Sequence, residues 1–155
     1  MNLETSFVEI ELSQLRADAQ MRKDEGWRYV QMLCTNTDDG IDLTYSYMKE
    51  GQLVNPTVRG VKKGQQVPSV SDLFFAAFVF ENEAHDLFDV DITDIVIDFG
   101  GNFYALSEKA PMTIISPEKK AAKEKAAKLA AAKAAKAAKA AKEKAEKEAA
   151  EGKGE

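Results

Sequence analysis

The chain has 155 residues, of which 45% are apolar and 30% are charged, and its formal net charge is −5. Its composition changes abruptly near Pro117. Residues 118–155 hold sixteen alanines, twelve lysines and seven glutamates, and Leu129 is their one large apolar side chain, so this segment cannot build a hydrophobic core. The preceding 117 residues carry nineteen acidic and nine basic side chains, and their number suits one domain. We therefore expect an acidic domain at 1–117 and a basic low-complexity tail at 118–155.

Several classes of protein are excluded at this stage. The most apolar run, residues 73–80, is too short to cross a bilayer, which takes about 20 apolar residues. The N-terminus has no basic start followed by an apolar run, so no export signal is expected and a cytoplasmic location is predicted. One cysteine, Cys34, and one histidine, His85, cannot supply the roughly four ligands of a zinc or iron–sulfur site. Cys34 lies in an alternating apolar pattern, which predicts a buried thiol, and no cofactor or metal is expected.

The first sixty residues show mainly the period of two that is typical of strands. The pattern predicts these elements in order: a strand at 7–10, a helix at 14–25, and strands at 27–35, 41–48 and 53–61. Ser13 can cap the helix and Gly26 ends it, while Asp38-Asp39-Gly40 predicts a hairpin turn. Pro56 cannot donate to a ladder, which favours an edge position for the strand that contains it. The three later strands should form an antiparallel meander.

The apolar period then changes to three and four residues between Leu73 and Phe88, which predicts one helix or a pair of helices packed on the sheet, after a loop at 64–67. Ile92, Ile95 and Ile97 restore a strand pattern, and residues 103–115 indicate an irregular arm. The predicted fold class is α+β, with an antiparallel meander sheet and packed helices.

The tail contains Lys-Ala-Ala triplets beginning at Lys133, Lys136 and Lys139, and both residue types favour helices. Three residues advance about 300° around a helix, so these lysines spiral around the axis and form no single face. A helical or disordered tail is expected, serving as a spacer, a solubilising arm or a weak attachment to anionic lipid or an acidic partner. Its glutamates, and its lack of arginine and aromatic residues, argue against nucleic acid.

Catalytic motifs are weak in this sequence. Glu81 and His85 are four residues apart and share a helical face, which could hold a metal or an acid–base pair. A zinc hydrolase or a di-iron site needs further ligands, so a histidine at an interface or core edge is the favoured interpretation. The acids between 89 and 98 do not follow the calcium-loop spacing, and the sequence has no phosphate-binding glycine loop or nucleophile elbow. No catalytic residue is predicted.

Residues 67–88 carry a specific motif. It consists of Val67-Pro68-Ser69-Val70-Ser71-Asp72-Leu73-Phe74, then Ala76-Ala77, then Glu81-x-Glu83-x-x-Asp86-Leu87-Phe88. This motif resembles the signature of the thirty-kilodalton subunit family of complex I, the hydrophilic subunit of NADH-quinone oxidoreductases, and the resemblance extends over about residues 6–95. Family positions that hold Pro, Trp, Arg, Tyr and Gly-Ile are occupied here by Phe75, Val79, Asn82, His85 and Asp89-Val90. The basic segment that follows in the respiratory subunits is replaced by residues 94–101.

The chain is most similar to the short family members found in energy-converting (Ech-type) membrane-bound NiFe hydrogenases and formate hydrogenlyase complexes. This resemblance implies a cofactor-free accessory subunit of an oxidoreductase complex, which docks on the large catalytic subunit at the cytoplasmic face of the membrane. Glu81, Glu83 and Asp86 would then pair with arginines of the neighbouring subunit, while Phe80 and Phe88 would fill apolar contacts.

Four alternatives stay open. The carboxylates could satisfy backbone donors within this fold, in which case they would not reach a partner. The chain could belong to an NADH-quinone oxidoreductase, or act as a stand-alone enzyme through Glu81 and His85. It could also be an acidic binding module with a basic tail.

Overall fold

The structure, a computed structural model, describes residues 4–113. The elements follow in the order β1 Glu4–Glu9, α1 Leu15–Asp24, β2 Arg28–Asn36, β3 Ile41–Lys49, β4 Gln52–Val61, β5 Gln66–Pro68, α2 Ala77–Phe88 and β6 Asp91–Thr93. A 3-10 turn at Leu12–Gln14 leads into α1, and another lies at Pro111–Thr113. The predicted α+β class is confirmed. The predicted tail and the end of the predicted arm, residues 114–155, lie outside the described residues.

Four strands form the main sheet, in the spatial order β1-β4-β3-β2. The predicted meander is confirmed for β2, β3 and β4, which pair antiparallel in sequence. The first strand departs from it, because β1 pairs with β4 in parallel, with Glu4 opposite Gln52. A parallel pair needs a long crossover connection, and here α1, β2 and β3 all lie within it.

The edge position predicted from Pro56 is wrong, because β4 lies between β1 and β3. Asn55, the preceding residue, links β4 to both neighbours through its side chain. Its Nδ2 donates to the backbone oxygen of Ser6 at 2.9 Å, and its Oδ1 accepts from Ser46 Oγ at 2.8 Å. These side-chain bonds connect the strands beside the missing proline N–H, so a proline is accommodated in an interior strand.

The core lies on the sheet face that carries the odd-numbered side chains of β3. Side chains alternate across a strand, so Leu43, Tyr45 and Tyr47 share this face, and all three are fully buried. Tyr47 packs edge-on against Tyr29 with ring centroids 5.7 Å apart, and Phe74 lies 5.3 Å from Tyr47. The helices complete this core with small or branched side chains: Leu15 and Ala19 from α1, and Ala77 and Ala84 from α2.

Arg22 is a buried cation at the end of α1. Its Nε and Nη2 donate to the two carboxylate oxygens of Asp18 at 2.8 and 3.0 Å. Its guanidinium carbon lies 5.3 Å from the Trp27 ring centroid and 5.2 Å from that of Tyr47. The charge is therefore neutralised by one carboxylate and enclosed by two aromatic rings, which is the environment that a buried arginine needs.

A second, two-stranded sheet joins β5 to β6 in parallel, with Val67 opposite Ile92. The segment at 64–67 was expected to be a loop, so β5 corrects that prediction. The strand predicted from Ile92, Ile95 and Ile97 is shorter than expected, since β6 ends at Thr93. Between β5 and β6, where one helix or a pair of helices was predicted, one helix forms, and it begins at Ala77.

The end of α2 has a strained residue. Asp89 has φ +56°, in the left-handed region, and its N–H donates to the His85 carbonyl at 3.1 Å. Its carboxylate lies 2.6 Å from Lys63 Nζ and 3.4 Å from Lys109 Nζ. The hydrogen bond from Lys63 is the largest influence that lowers the pKa of Asp89. Aspartate adopts this conformation more readily than most residues, but glycine adopts it at lower cost.

Candidate functional site

Three polar side chains of α2 point into the protein and hold irregular segments of the chain through hydrogen bonds. They are Glu81, Asn82 and Asp86, and all three are buried. A helix is a rigid support, so side chains projecting from one face can fix the position of loops that have no ladder of their own. The acid-rich part of the family-like motif therefore has an internal role in this fold.

Glu81 has no exposed surface and holds the turn before α2. Its Oε1 accepts from the Val70 N–H at 2.7 Å, and its Oε2 accepts from Ser69 Oγ at 2.6 Å. Ser69 Oγ also accepts from the Ser71 N–H, and Ser71 Oγ accepts from the Val96 N–H, each at 3.0 Å. Burial raises the pKa of Glu81, and the bonds from Ser69 and Val70 oppose that rise. The glutamate thus connects the turn before α2 to the segment after β6.

Buried ionisable groups surround this glutamate. The hydroxyl oxygens of Tyr29, Tyr45 and Tyr47 are buried, and none has a hydrogen-bond partner among residues 4–113. Burial raises the pKa of each tyrosine, and the charge of Glu81 adds to the rise. Cys34 is partly exposed and packs against the edge of the core, where a buried thiol was predicted. Desolvation raises the pKa of this thiol to about 12, so it is held in its neutral form.

Asn82 holds the chain that follows β6. Its Nδ2 donates to the carbonyls of Phe78 at 2.7 Å and Ile97 at 2.8 Å, and its Oδ1 accepts from the Phe99 N–H at 2.9 Å. Only a side chain that both donates and accepts can make this set of bonds. Arginine, which the family signature has at this position, has no acceptor, so the substitution fits the local path of residues 97–99.

Glu83 and Asp86 contact one common residue, which is Tyr104 of the same chain. The Tyr104 N–H donates to Asp86 Oδ2 at 2.8 Å, and its hydroxyl donates to Glu83 Oε2 at 3.3 Å. His85 Nδ1 lies 3.4 Å from Asp86 Oδ1, and Gly101, with φ +81°, packs so closely that a Cβ there would lie 3.2 Å from His85 Cε1. Glu83 is only partly buried, while the Asp86 carboxylate is enclosed.

The structure also places the two phenylalanines expected at the interface and the proposed acid–base pair. Phe80 is half-buried, and its ring lies 6.0 Å from that of Tyr29. Phe88 lines a cavity of about 210 Å³ beside Ile41 and Val90. Glu81 and His85 bond to different partners, as described above. Within the described part of the chain, no group of three or more His, Cys, Asp or Glu side chains is arranged to hold a metal ion.

An exposed apolar surface lies on the segment that Asn82 and Asp86 hold. We call it the arm patch, and its members are partly exposed large side chains: Val96, Ile97, Phe99, Tyr104 and Leu106. Phe103 packs between two of them, with ring centroids 5.1 Å from Phe99 and 4.9 Å from Tyr104. The sequence interpretation missed this patch. The available signal was a strand-like apolar run placed where the respiratory subunits have a basic segment.

The sequence model of the family described as "Respiratory-chain NADH dehydrogenase, 30 Kd subunit" matches residues 8–95. The chain belongs to this family. As a member, it is a subunit of a complex I-like respiratory complex. The match ends at Ile95, so the whole arm patch lies beyond the matched segment.

Two of the solved structures that share the fold serve as examples. One is Nqo5, as a trypsin-resistant fragment of residues 1–134, with 16% identity, a TM-score of 0.53, and coverage of 59% of this chain and 80% of that one. The other is from the membrane-bound sulfane sulfur reductase, an archaeal respiratory membrane complex, with 17% identity, a TM-score of 0.58, and coverage of 75% of this chain and 66% of that one. No curated protein sequence matches the chain. In residues 4–113, neither helix has the length and apolar character to span a bilayer.

Proposed function

We propose that this chain is a non-catalytic, cofactor-free accessory subunit of a membrane-bound, energy-converting NiFe hydrogenase or formate hydrogenlyase complex. It docks on the large catalytic subunit, on the cytoplasmic side of the membrane. One observation carries the proposal beyond family membership: the polar side chains of α2 hold an irregular segment that exposes five large apolar or aromatic side chains.

The arm patch has the properties of a docking surface. Apolar and aromatic side chains supply most of the binding energy at protein interfaces, and the patch contributes both types. Its backbone is already held at Ile97, Phe99 and Tyr104 by bonds to α2. A segment that is ordered before binding loses little conformational entropy on docking, so more of its contact energy remains as affinity.

The five residues expected at the interface divide into two groups in this proposal. Glu81 and Asp86 act from inside, because their carboxylates accept backbone and hydroxyl donors of this chain and so shape the surface. Glu83 lies beside Tyr104 at the surface, where it can pair with an arginine of the large subunit. Phe80 and Phe88, both half-buried, would contribute apolar contacts at the border of the docking surface.

The proposed link to hydrogenases rests on the positions at which this chain differs from the signature of the quinone-linked family members. An apolar arm with acids at Asp94 and Asp98 stands where the quinone-linked subunits have a basic segment. The alternative is a subunit of an NADH-quinone oxidoreductase, which the family's description favours. A further alternative, an acidic binding module, is favoured by the charge of the first 117 residues.

We also propose the division of the chain into a domain at 1–117 and a separate tail at 118–155. The match to the family lies wholly within the first of these, and the tail contains only one large apolar side chain to bury, Leu129. The tail would act as a spacer or attach weakly to anionic lipid or an acidic partner, as its lysines allow.

Copurification tests the proposal. The tagged full-length chain is purified from gently solubilised membranes, and the bound chains are identified. Recovery of a NiFe hydrogenase large subunit supports the proposal, recovery of quinone oxidoreductase subunits establishes the alternative, and a chain that copurifies with no oxidoreductase subunit refutes both.

A pair of matched variants tests the arm patch itself. Phe99→Ser removes one aromatic side chain from the patch, and Met112→Ser removes an exposed apolar side chain outside it; these residues are 44% and 54% exposed. We expect Phe99→Ser to weaken recovery of the large subunit by about tenfold, which corresponds to about 1.4 kcal/mol, and Met112→Ser to leave it unchanged. Equal recovery with both variants would place the interface elsewhere.

A further inference from the structure

A groove lies where the end of α1 and the start of β2 meet the turn before α2. It has a volume of about 430 Å³ and is lined mainly by aromatic and cationic side chains, among them Lys23, Trp27, Arg28, Phe74 and Phe75. It shares none of its lining residues with the arm patch. The groove therefore needs an explanation that the proposed docking on the large subunit does not provide.

The apolar wall of the groove comes from a pair of adjacent phenylalanines with opposite roles. Phe74 is buried and stacks on Tyr29 with ring centroids 5.7 Å apart. Phe75, the next residue, is 60% exposed, and its ring contacts Phe78 at 5.1 Å. Core packing thus accounts for Phe74 but leaves one side of the Phe75 ring open. This position holds proline in the family signature, so the exposed ring is a feature of this chain.

The groove is locally positive on an acidic domain. Lys23 Nζ lies 5.3 Å from the Phe74 ring, and Arg28 contacts the sulfur of Met48 at 3.3 Å, yet neither cation has an ion pair within residues 4–113. Most other cations of the same domain have a partner: Arg16, Arg22, Arg59 and Lys63 pair with the carboxylates of Asp72, Asp18, Asp42 and Asp89, while Lys49 and Lys62 donate to backbone carbonyls. Two cations without carboxylate partners beside one groove, in a domain with nineteen acidic and nine basic residues, form a local reversal of charge.

The end of α1 accounts for only part of this positive charge, and nearby carboxylates do not cancel it. The C-terminal end of a helix attracts cations, which explains Lys23 on the last turn of α1 but not Arg28, which begins β2. Two carboxylates lie at the end of α1: Glu25 Oε2 accepts from Trp27 Nε1 at 2.9 Å, and Asp24 Oδ1 accepts from Gln20 Nε2 at 2.8 Å. Lys49 Nζ donates to the Glu25 carbonyl at 2.6 Å, so Lys23, Arg28 and Lys49 still outnumber these two carboxylates and an excess of positive charge remains.

We propose that this groove binds a short segment of a partner protein in which an aromatic side chain is flanked by carboxylates. The aromatic ring would pack on Phe75 and Trp27, and the carboxylates would pair with Lys23 and Arg28. Charge complementarity selects this occupant, since a basic segment would meet two unpaired cations and a purely apolar one would leave both without a counter-charge.

The groove contains its own reporter, because Trp27 is the one tryptophan of the chain. The full-length chain is titrated with an acetylated and amidated pentapeptide, Asp-Glu-Phe-Glu-Asp, while the emission of Trp27 is recorded. A saturable change is expected, and it should weaken by about tenfold when phenylalanine is replaced by alanine in the peptide. It should also be lost at about 1 M salt, where the Debye length is about 3 Å. The same peptide with lysine in place of each acid is expected to give no saturable change.

Variants of the chain locate the binding. Lys23→Glu with Arg28→Glu should abolish saturation by the acidic peptide, and Phe75→Ser should weaken it by about tenfold. Met112→Ser, an exposed apolar residue that does not line the groove, should bind like the parent chain. Thermal unfolding of each variant confirms that it is folded before the titration.

Three results would overturn the proposal. The first is no saturable response to the acidic peptide, and the second is an equal response to its basic counterpart. The third is self-association of the parent chain in sedimentation that Phe75→Ser abolishes, because the groove would then be filled by a second copy of this chain.

Discussion

Glu81→Ala tests whether the motif glutamate acts inside the fold. The change removes both carboxylate oxygens from a site with no exposure and leaves the Val70 N–H and the Ser69 hydroxyl without their acceptor. Hydrogen bonds to charged groups contribute about 1.5 to 3 kcal/mol each, so two of them give about 3 to 6 kcal/mol. Burying the carboxylate is itself unfavourable, as the raised pKa of Glu81 indicates. We therefore expect Glu81→Ala to lower the free energy of unfolding by about 3 kcal/mol, the lower end of this range.

Urea unfolding of the parent chain and the variant, followed by Trp27 emission and circular dichroism, measures this loss at neutral pH. Glu83→Ala is the matched control, because it makes the same substitution on the same helix and, within residues 4–113, the one hydrogen bond of the Glu83 side chain is the long bond from Tyr104. The Glu83→Ala control should lower the free energy of unfolding by less than about 0.5 kcal/mol. A Glu81→Ala variant within about 1 kcal/mol of the parent would refute the internal role and return Glu81 to the partner interface.

The pH dependence gives a second measurement on the same residue. A folded-state pKa above the ordinary value means that the folded chain binds this proton more tightly than the unfolded chain. The resulting stabilisation is fully present below the ordinary pKa of glutamate, about 4.3, and is lost as the pH rises through the folded-state pKa. Glu81→Gln cannot titrate, so the stability of the parent relative to this variant should fall as the pH rises through that window. A relative stability that rises with pH would show that the pKa of Glu81 is lowered.

Three further predictions concern single side chains. Asn82→Ala removes the acceptor of the Phe99 N–H, so hydrogen exchange of that amide should accelerate by at least about tenfold, and unchanged protection would show that the arm is held by other contacts. Asp89→Gly removes the strain of a left-handed φ but also removes ion pairs with exposed lysines, so the melting temperature should rise by about 1 to 3 °C. High salt weakens those ion pairs in the parent chain, so the difference in melting temperature should be larger there. Arg22→Lys loses the bidentate hydrogen bond to Asp18 and the stacking on its aromatic neighbours, so the free energy of unfolding in urea should fall by about 1 to 2 kcal/mol. An unchanged free energy of unfolding would mean that lysine makes equivalent contacts with Asp18 and the rings.

Much of the fold could be predicted from local patterns, because the strands of the meander alternate and the turns carry Gly40 and Gly51. The place of β1 could not, since parallel pairing between distant strands leaves no local signal. Pro56 misled the prediction for a physical reason: an interior strand can hold a proline when a neighbouring side chain, here Asn55, connects the adjacent strands.

The candidate site was predicted in part. Glu83 and Asp86 are three residues apart on α2 and both bond to Tyr104, but their spacing cannot tell a residue of the same chain from a residue of a partner. The assignment of the five motif residues to a partner interface stays a prediction. The arm patch was missed because a strand-like run such as Val96 and Ile97 predicts burial in a sheet, whereas the segment leaves β6 after three residues.

The first strand has a consequence for the order of folding. All six side chains of β1 are exposed, and its backbone pairs with β4 only after α1, β2 and β3 have been placed. Closing so long a connection loses chain entropy before any contact of β1 can offset it. We therefore expect the meander to form without β1, which should join last and detach first. The amides of β1 should exchange with solvent through openings that leave the rest of the sheet intact. A strand held this lightly is also the segment that two crowded copies of the chain can most readily exchange.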